Sequence, residues 1–281
     1  NLRLGIFLTN LRYVRDFNKI HGRTYSLSMN RFSCYTPTEY NSLLGTTIPV
    51  EKIEAKPIKN REYIWPLPET YDWRENSSVN QRKDQGNCGA GWAFSAIASS
   101  ETSYKISYGT LPLLSEQNLI DCVIFCFGCN SGSPQDALGY VRQVQGGYFN
   151  YESDYPYTGT KGNCAFDKNK PAGRFTEYAK VIEKDEEDLK ERIAWHGVAA
   201  ASISASGSDF MLYSGGVFDS SNCKESDKLD HSVAVVGYGI DNDVPYWIVR
   251  NSWGKNWGDE GYVKFLMGVD LCSIADKACY P

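Results

Sequence analysis

Three short segments hold side chains able to do covalent chemistry: Gln85-Gly86-Asn87-Cys88-Gly89-Ala90-Gly91-Trp92, Leu229-Asp230-His231-Ser232 and Arg250-Asn251-Ser252-Trp253-Gly254. A cysteine, an imidazole and carboxamides are the materials of acyl transfer, in which a nucleophile needs a base and a developing oxyanion needs N–H donors. Singly, a Gln-Gly pair, one histidine or an Asn-Ser-Trp-Gly turn is more often structural. Their weight comes from occurring together and in this order. Cys122, Cys126 and Cys129 raise the question of zinc, but the chain has only three histidines, and disulfide partners exist for each thiol. No metal and no cofactor is called for.

The elements that must position these segments can be read from periodicity. Phe7, Leu11, Val14 and Phe17 recur at helical spacing, with Arg12, Arg15 and Asp16 on the other side, which predicts a long amphipathic helix ending near Gly22. Thr36-Pro37-Thr38-Glu39 signals a second, short helix. From about Leu44 to Pro68 prolines and mixed charges predict an extended connector. A helix is then expected from Gly91 to Tyr108, stopped by Gly109, with Trp92, Phe94 and Ile97 in a core. Two more follow near Ser115–Cys122 and Ser133–Gln145. From about Gly197 the chain reads as strands, notably 231–236, 245–250 and 261–266. The expected class is α+β, a helical lobe and a β lobe with a site between them.

Bulk properties narrow the field. At 281 residues the chain can bury a full core, and a net charge of −5 that is evenly spread points to neither nucleic acid nor an anionic membrane surface. No run of 18 apolar residues predicts a membrane span. Nine cysteines, placed late in the chain, suggest disulfides and a secreted or lysosomal/vacuolar protein. The chain begins at Asn1, so a signal peptide is expected to have been removed or to lie outside this sequence, and Asn76-Ser77-Ser78 is an acceptor pattern for N-glycosylation.

The segment from Gln85 to Ser95 resembles the nucleophile segment of the papain and cathepsin L family, in which cysteine immediately precedes the aromatic residue. Here that position is Gly91. The segments around His231 and Asn251 resemble the family's histidine and asparagine segments, in the family's order. The resemblance implies a papain-like two-lobe fold with an α-helical N-terminal inhibitory prodomain: a leader over residues 1–66, truncated at its start, and a peptidase domain over 67–281. It implies that His231 pairs with the nucleophile and protonates the leaving amine. Asn251 would hold the imidazole in plane, Trp253 would shield that bond, and Gln85 would donate to the oxyanion. It also implies disulfides Cys88–Cys129, Cys122–Cys164 and Cys223–Cys272. Cys126 and Cys279 remain over, and we expect them to pair, leaving Cys34 single.

By the same resemblance, peptide backbone pairs at Ser131-Gly132, where Ser131 replaces a glycine. Pro134, Ser202, Ser232 and Lys277 line the main specificity pocket. Lys277 either closes that pocket's floor with an ammonium, favouring an acidic side chain, or snorkels to solvent. Arg3, Phe7, Asn10, Val14 and Asn18 match the family's leader-helix spacing. Ser28-Met29-Asn30-Arg31-Phe32-Ser33-Cys34 resembles its second leader motif, with Ser28 and Cys34 replacing glycine and aspartate. The implied partners are the chain's own leader in the cleft, protein or peptide substrates, and inhibitors of cysteine proteases. Gly91 removes the sulfur and with it the acyl-enzyme, so no turnover is expected. Two explanations stay open: an inactivated protease, or a pseudoprotease with a binding, storage or regulatory role.

Overall fold

The structure, a computed structural model, describes residues 1–48, 66–223 and 228–281. The leader comes first: α1 (Leu2–Asn18), β1 (Tyr25–Leu27) and α2 (Pro37–Leu44). Its motif residues act as internal ties. Arg3 donates to the Cys34 carbonyl and pairs with Glu39, Asn10 donates to Ser33 O at 2.9 Å, and Asn18 exchanges two bonds with the Leu27 backbone. Spacing along α1 therefore places three polar side chains where the returning chain has unpaired backbone groups. Helix α2 opens with a full capping box between Thr36 and Glu39 and stops at Gly45, whose φ of 61° suits glycine.

The helical lobe follows β2 (Tyr71–Asp72) and is built on α3 (Gly91–Tyr108), buried on every side from Gly91 to Thr102 and closed by Gly109 at φ 79°. Around it pack α4 (Glu116–Cys122), α5 (Pro134–Val144) and the small sheet of β3 (Tyr148–Phe149) with β4 (Ala172–Arg174). Ser115 and Ser133 cap α4 and α5 with their hydroxyls. The β lobe comprises β5 (Ala179–Lys180), α6 (Glu186–His196), β6 (Ala199–Ile203), α7 (Ser208–Leu212), β7 (Tyr213–Phe218), β8 (His231–Asp241), β9 (Val244–Arg250), β10 (Tyr262–Leu266) and β11 (Cys279–Tyr280). Its strand order is β1-β7-β10-β9-β8-β6-β11-β5, with β2 added on β8, so a leader strand forms one edge of the sheet.

Three expectations need correction or completion. Cys126 and Cys279 are both free and buried, so the fourth bridge does not form, whereas Cys88–Cys129, Cys122–Cys164 and Cys223–Cys272 do. The Cys126 thiol is turned to the backbone of Ser133, whose N–H lies 3.4 Å from its sulfur, while Cys279 sits on β11 between β5 and β6. Helix α6 and the short β1, β3 and β4 were not anticipated. The expected connector from Leu44 to Pro68 and the cleavage region from Asn60 to Pro68 fall largely on residues 49–65, outside the described residues. No helix among the described residues is long and apolar enough to cross a membrane.

Candidate active site

Gly91 is the first residue of α3, and His231 is the first residue of β8. The lobes bring them face to face. A Cβ placed on Gly91 would lie 2.7 Å from His231 Cε1, 2.9 Å from its Nδ1 and 2.9 Å from the Ser232 carbonyl oxygen. The place of a side chain at 91 is thus already taken by the imidazole.

The ring is fixed on its far side. His231 Nε2 lies 2.8 Å from Asn251 Oδ1, which also accepts the Ser252 N–H at 2.8 Å. Because that backbone N–H can only donate, the atom it meets is the carboxamide oxygen, and His231 must therefore carry its proton on Nε2. Nδ1 then faces Gly91 and lies 3.4 Å from Leu44 O of the leader. Trp253 stacks on the imidazole with centroids 4.9 Å apart, and both rings are buried. Burial lowers the His231 pKa from its ordinary value, against the smaller opposing influence of Asn251, Leu44 O and Asp230. With no thiolate beside it, a neutral ring follows at pH 7.

This carries a stability consequence. A histidine whose folded pKa lies below its unfolded value contributes stability that is complete above about pH 6.5 and is lost as pH falls below that. Urea unfolding over a pH series is expected to show the chain losing stability from pH 7 toward pH 5 more steeply than His231→Gln does. Equal slopes would show that the ring protonates as easily folded as unfolded.

Gln85, also buried, accepts from Ser252 Oγ through its Oε1 at 2.5 Å. Its Nε2 donates to Cys88 O and to Leu43 O of the leader, each at 2.7 Å. Both N–H donors of that carboxamide therefore already hold peptide carbonyls, one of them the leader's. The leader continues across the cleft: Gly132 N donates to Gly45 O at 3.0 Å, Thr46 N donates to Asp230 O at 3.0 Å, and Thr47 N donates to Gly132 O at 2.9 Å. Thr46 Oγ1 and Ser232 Oγ are 2.7 Å apart. The last carbonyls of α2, which a helix leaves without internal partners, are thus met by groups of the site itself.

A family model described as papain family cysteine protease matches residues 67–281, and one described as cathepsin propeptide inhibitor domain (I29) matches residues 1–40. The chain belongs to the papain family of cysteine proteases. It is 40% identical to cysteine proteinase COT44 of Brassica napus over 99% of this chain and 88% of the relative. It is 41% identical to germination-specific cysteine protease 1 of Arabidopsis thaliana, over 99% and 77%. The solved structure of digestive procathepsin L2 proteinase from Tenebrio molitor larval midgut matches with a TM-score of 0.93 and 36% identity, covering 100% of this chain and 92% of that one.

The other expected site residues of this papain-family chain are distributed as follows. Ser202 and Ser232 are cross-strand neighbours on β6 and β8, and Pro134 is the first residue of α5. Gly132 packs so closely on Trp92 that a Cβ there would lie 2.5 Å from the indole. Ser131 has its carbonyl engaged by Phe127 N at 2.7 Å. Lys277 pairs with the exposed carboxylate of Glu183. Leu43, Leu44, Gly45 and Thr46 were not singled out from the sequence; the apolar pair ending a helix at a glycine was the available signal. Ser252, which orients Gln85, had none beyond its neighbours.

Proposed function

We propose that this chain is a cysteine-endopeptidase proenzyme by construction that does not turn over peptides, because residue 91 supplies no sulfur. The leader is residues 1–66 and the peptidase domain residues 67–281. One observation carries the reading: the residue at the N-terminus of α3, opposite His231 and Asn251, has no side chain. A water attacking in place of a thiol keeps only the help of the remaining donors, and Gln85 is engaged with the leader. Without self-cleavage the leader stays attached. Three disulfides in the peptidase domain support a secretory route to a secreted or vacuolar location.

The purified chain, its mass confirming Gly91, is expected to release no fluorophore from peptide substrates after the leader has been cut away by an added protease. Release that a thiol-directed inhibitor stops would refute the proposal.

A second reading, a family member that binds or regulates and has given up catalysis, is supported by the closeness of His231 to Gly91. A cysteine merely trimmed away would leave a gap there, and the imidazole has filled it. Under this reading Gln85 persists because its carboxamide holds the Leu43 carbonyl at the end of α2. Cleavage of the leader by an added protease at pH 7 is then expected to speed up in Gln85→Leu.

A further inference from the structure

The turn that follows β2 carries the triplet Asn76-Ser77-Ser78, and no other Asn-X-Ser or Asn-X-Thr occurs in the sequence. Asn76 is exposed on that turn, with Ser77 beside it at φ 50°. The turn is anchored at both ends. Trp73 donates through its indole N–H to Ile193 O at 2.8 Å, Ser77 N donates to Arg74 O and Ser78 N to Trp73 O, each at 3.2 Å, and the Ser78 carbonyl accepts from Thr102 Oγ1 at 2.7 Å. Among the described residues the Asn76 carboxamide holds no part of this frame. The amide that does is that of Asn80, which donates to Pro112 O at 2.7 Å. The Asn76 nitrogen can therefore be substituted without loss of a native bond.

Ser78 behaves differently. It is 4% exposed, and its hydroxyl donates to Asn76 O at 3.2 Å. A glycan-transferring enzyme has to engage that hydroxyl together with the asparagine, so the folded turn presents one half of the acceptor and hides the other. Modification must come before folding, and the chain leaves time for it. The groups that bury Trp73 and Ser78 are Thr102 of α3, Ile193 of α6 and Val236 of β8, all synthesised later. Ile193 follows Trp73 by 120 residues, an interval of about 6–24 s at about 5–20 residues per second. The first bridge beyond the turn, Cys88–Cys129, likewise waits for Cys129.

We propose that Asn76 is an N-glycosylation site, filled while the chain is unfolded and turned outward once the peptidase domain has closed. The co-reactant is an oligosaccharide carried on a lipid diphosphate. Asn76 Nδ2 attacks its anomeric carbon, the new C–N bond forms as the C–O bond to the diphosphate breaks, the lipid diphosphate leaves with that electron pair, and one Nδ2 proton passes to a base. Nothing is oxidised or reduced. The linked nitrogen keeps one N–H and faces water, so no desolvation cost arises in the fold. The leader's bonds to Gln85, Gly132, Asp230 and Ser232 involve no residue of the turn, and the glycan therefore stands apart from the cleft. The proposal rests on the secretory route inferred above, because the donor lipid belongs to that compartment.

The full chain, given a secretion signal and produced in a eukaryotic host, tests the site. Its intact mass is expected to exceed that of the sequence, and an amidase specific for N-linked glycans should remove the excess from the folded chain, leaving aspartate at residue 76. Asn76→Gln, a change on an exposed turn, should lack the increment, and Ser78→Thr, which keeps the hydroxyl, should retain it. The order of events is read separately: chain folded without glycan and then offered to membranes holding the transferase and its lipid donor should be modified at least tenfold less than the same chain reduced and unfolded. Because the signal is supplied, an absent glycan counts against Asn76 and not against the natural route. The proposal is overturned by a parent chain of bare mass, by an increment that survives Asn76→Gln, or by equal transfer to the folded and unfolded chains.

Discussion

Cysteine at position 91 is expected to give a peptidase from a chain that, on the reading proposed above, does not turn over peptides. In Gly91→Cys the thiol would stand at the N-terminus of α3, where the helix dipole favours a thiolate, and against the Nδ1 face of His231, where an imidazolium completes the ion pair. Removing a nucleophile of this kind costs on the order of a million-fold in turnover in a well-studied serine protease, so restoration should give a gain of at least roughly a thousandfold over background.

The ring must first give way. With Cε1 2.7 Å from the new Cβ, the imidazole has to withdraw by several tenths of an ångström, and Nδ1 then faces sulfur rather than Leu44 O. Once the ring is an imidazolium, thiolate and Leu44 O compete for its Nδ1 proton. Gly91→Cys is expected both to turn over substrate and to lose its leader, read by fluorogenic peptide cleavage and intact mass, with a thiol-directed inhibitor stopping both. A folded variant, alkylated at residue 91 yet inert on peptides and still carrying its leader, would show that the site has drifted too far for a thiol alone to revive it.

How much of this was legible beforehand depended on the range over which each feature is determined. Helix α3 was readable to the residue because its end is written locally, in Gly109 at positive φ, and its burial is written in Trp92, Phe94 and Ile97. The pairing of His231 with Asn251 was readable from resemblance because both lie in short, distinctive segments. Strand β1 was not, since three residues pair with β7 far along the chain and nothing local marks Tyr25 as an edge strand. Helix α6 hid its core contacts behind an acidic first turn capped by Asp185, and behind Asp188 and Arg192, a buried ion pair that reads as a polar face. Counting thiols left Cys126 and Cys279 as a pair by elimination, but a disulfide needs Cα atoms within about 7 Å and converging Cβ vectors, which counting does not supply. The same limit applies to Lys277: its partner Glu183 lies in another segment, and the sequence shows only that a cation is present. The displacement of a side chain at 91 by an imidazole is likewise a matter of tenths of an ångström.

The leader's hold on the cleft rests on Gly45 more than on any other single residue, and Gly45→Val is expected to break it. Gly45 sits at φ 61°, where a Cβ costs about 1–2 kcal/mol. Its Cα also approaches Gly89 so closely that a Cβ would stand 2.1 Å from Gly89 O and 2.6 Å from Gly89 C. Both obstacles are backbone, held by the Cys88–Cys129 bridge and by Gly89 N donating to Cys129 O at 2.8 Å, so a change of rotamer relieves nothing. Overpacking of this type adds about 1–3 kcal/mol. The chain from Gly45 to Thr47 must therefore lift, losing its bonds to Gly132 and Asp230 together. An opening made easier by about 2–5 kcal/mol corresponds to an open population larger by roughly 30-fold to a few thousandfold, and cleavage of the leader by a dilute added protease should rise by that factor. The aromatic docking of Phe32 and Tyr40 on Trp253 lies outside the strained turn, and it should keep the rest of the leader bound before the cut. Unchanged cleavage in Gly45→Val, with the fold intact by hydrogen exchange of β8, would mean that the leader is held by its helices and by the bonds from Tyr13 and Tyr25 to Asp209 of α7, and that the cleft contacts follow from that docking rather than cause it.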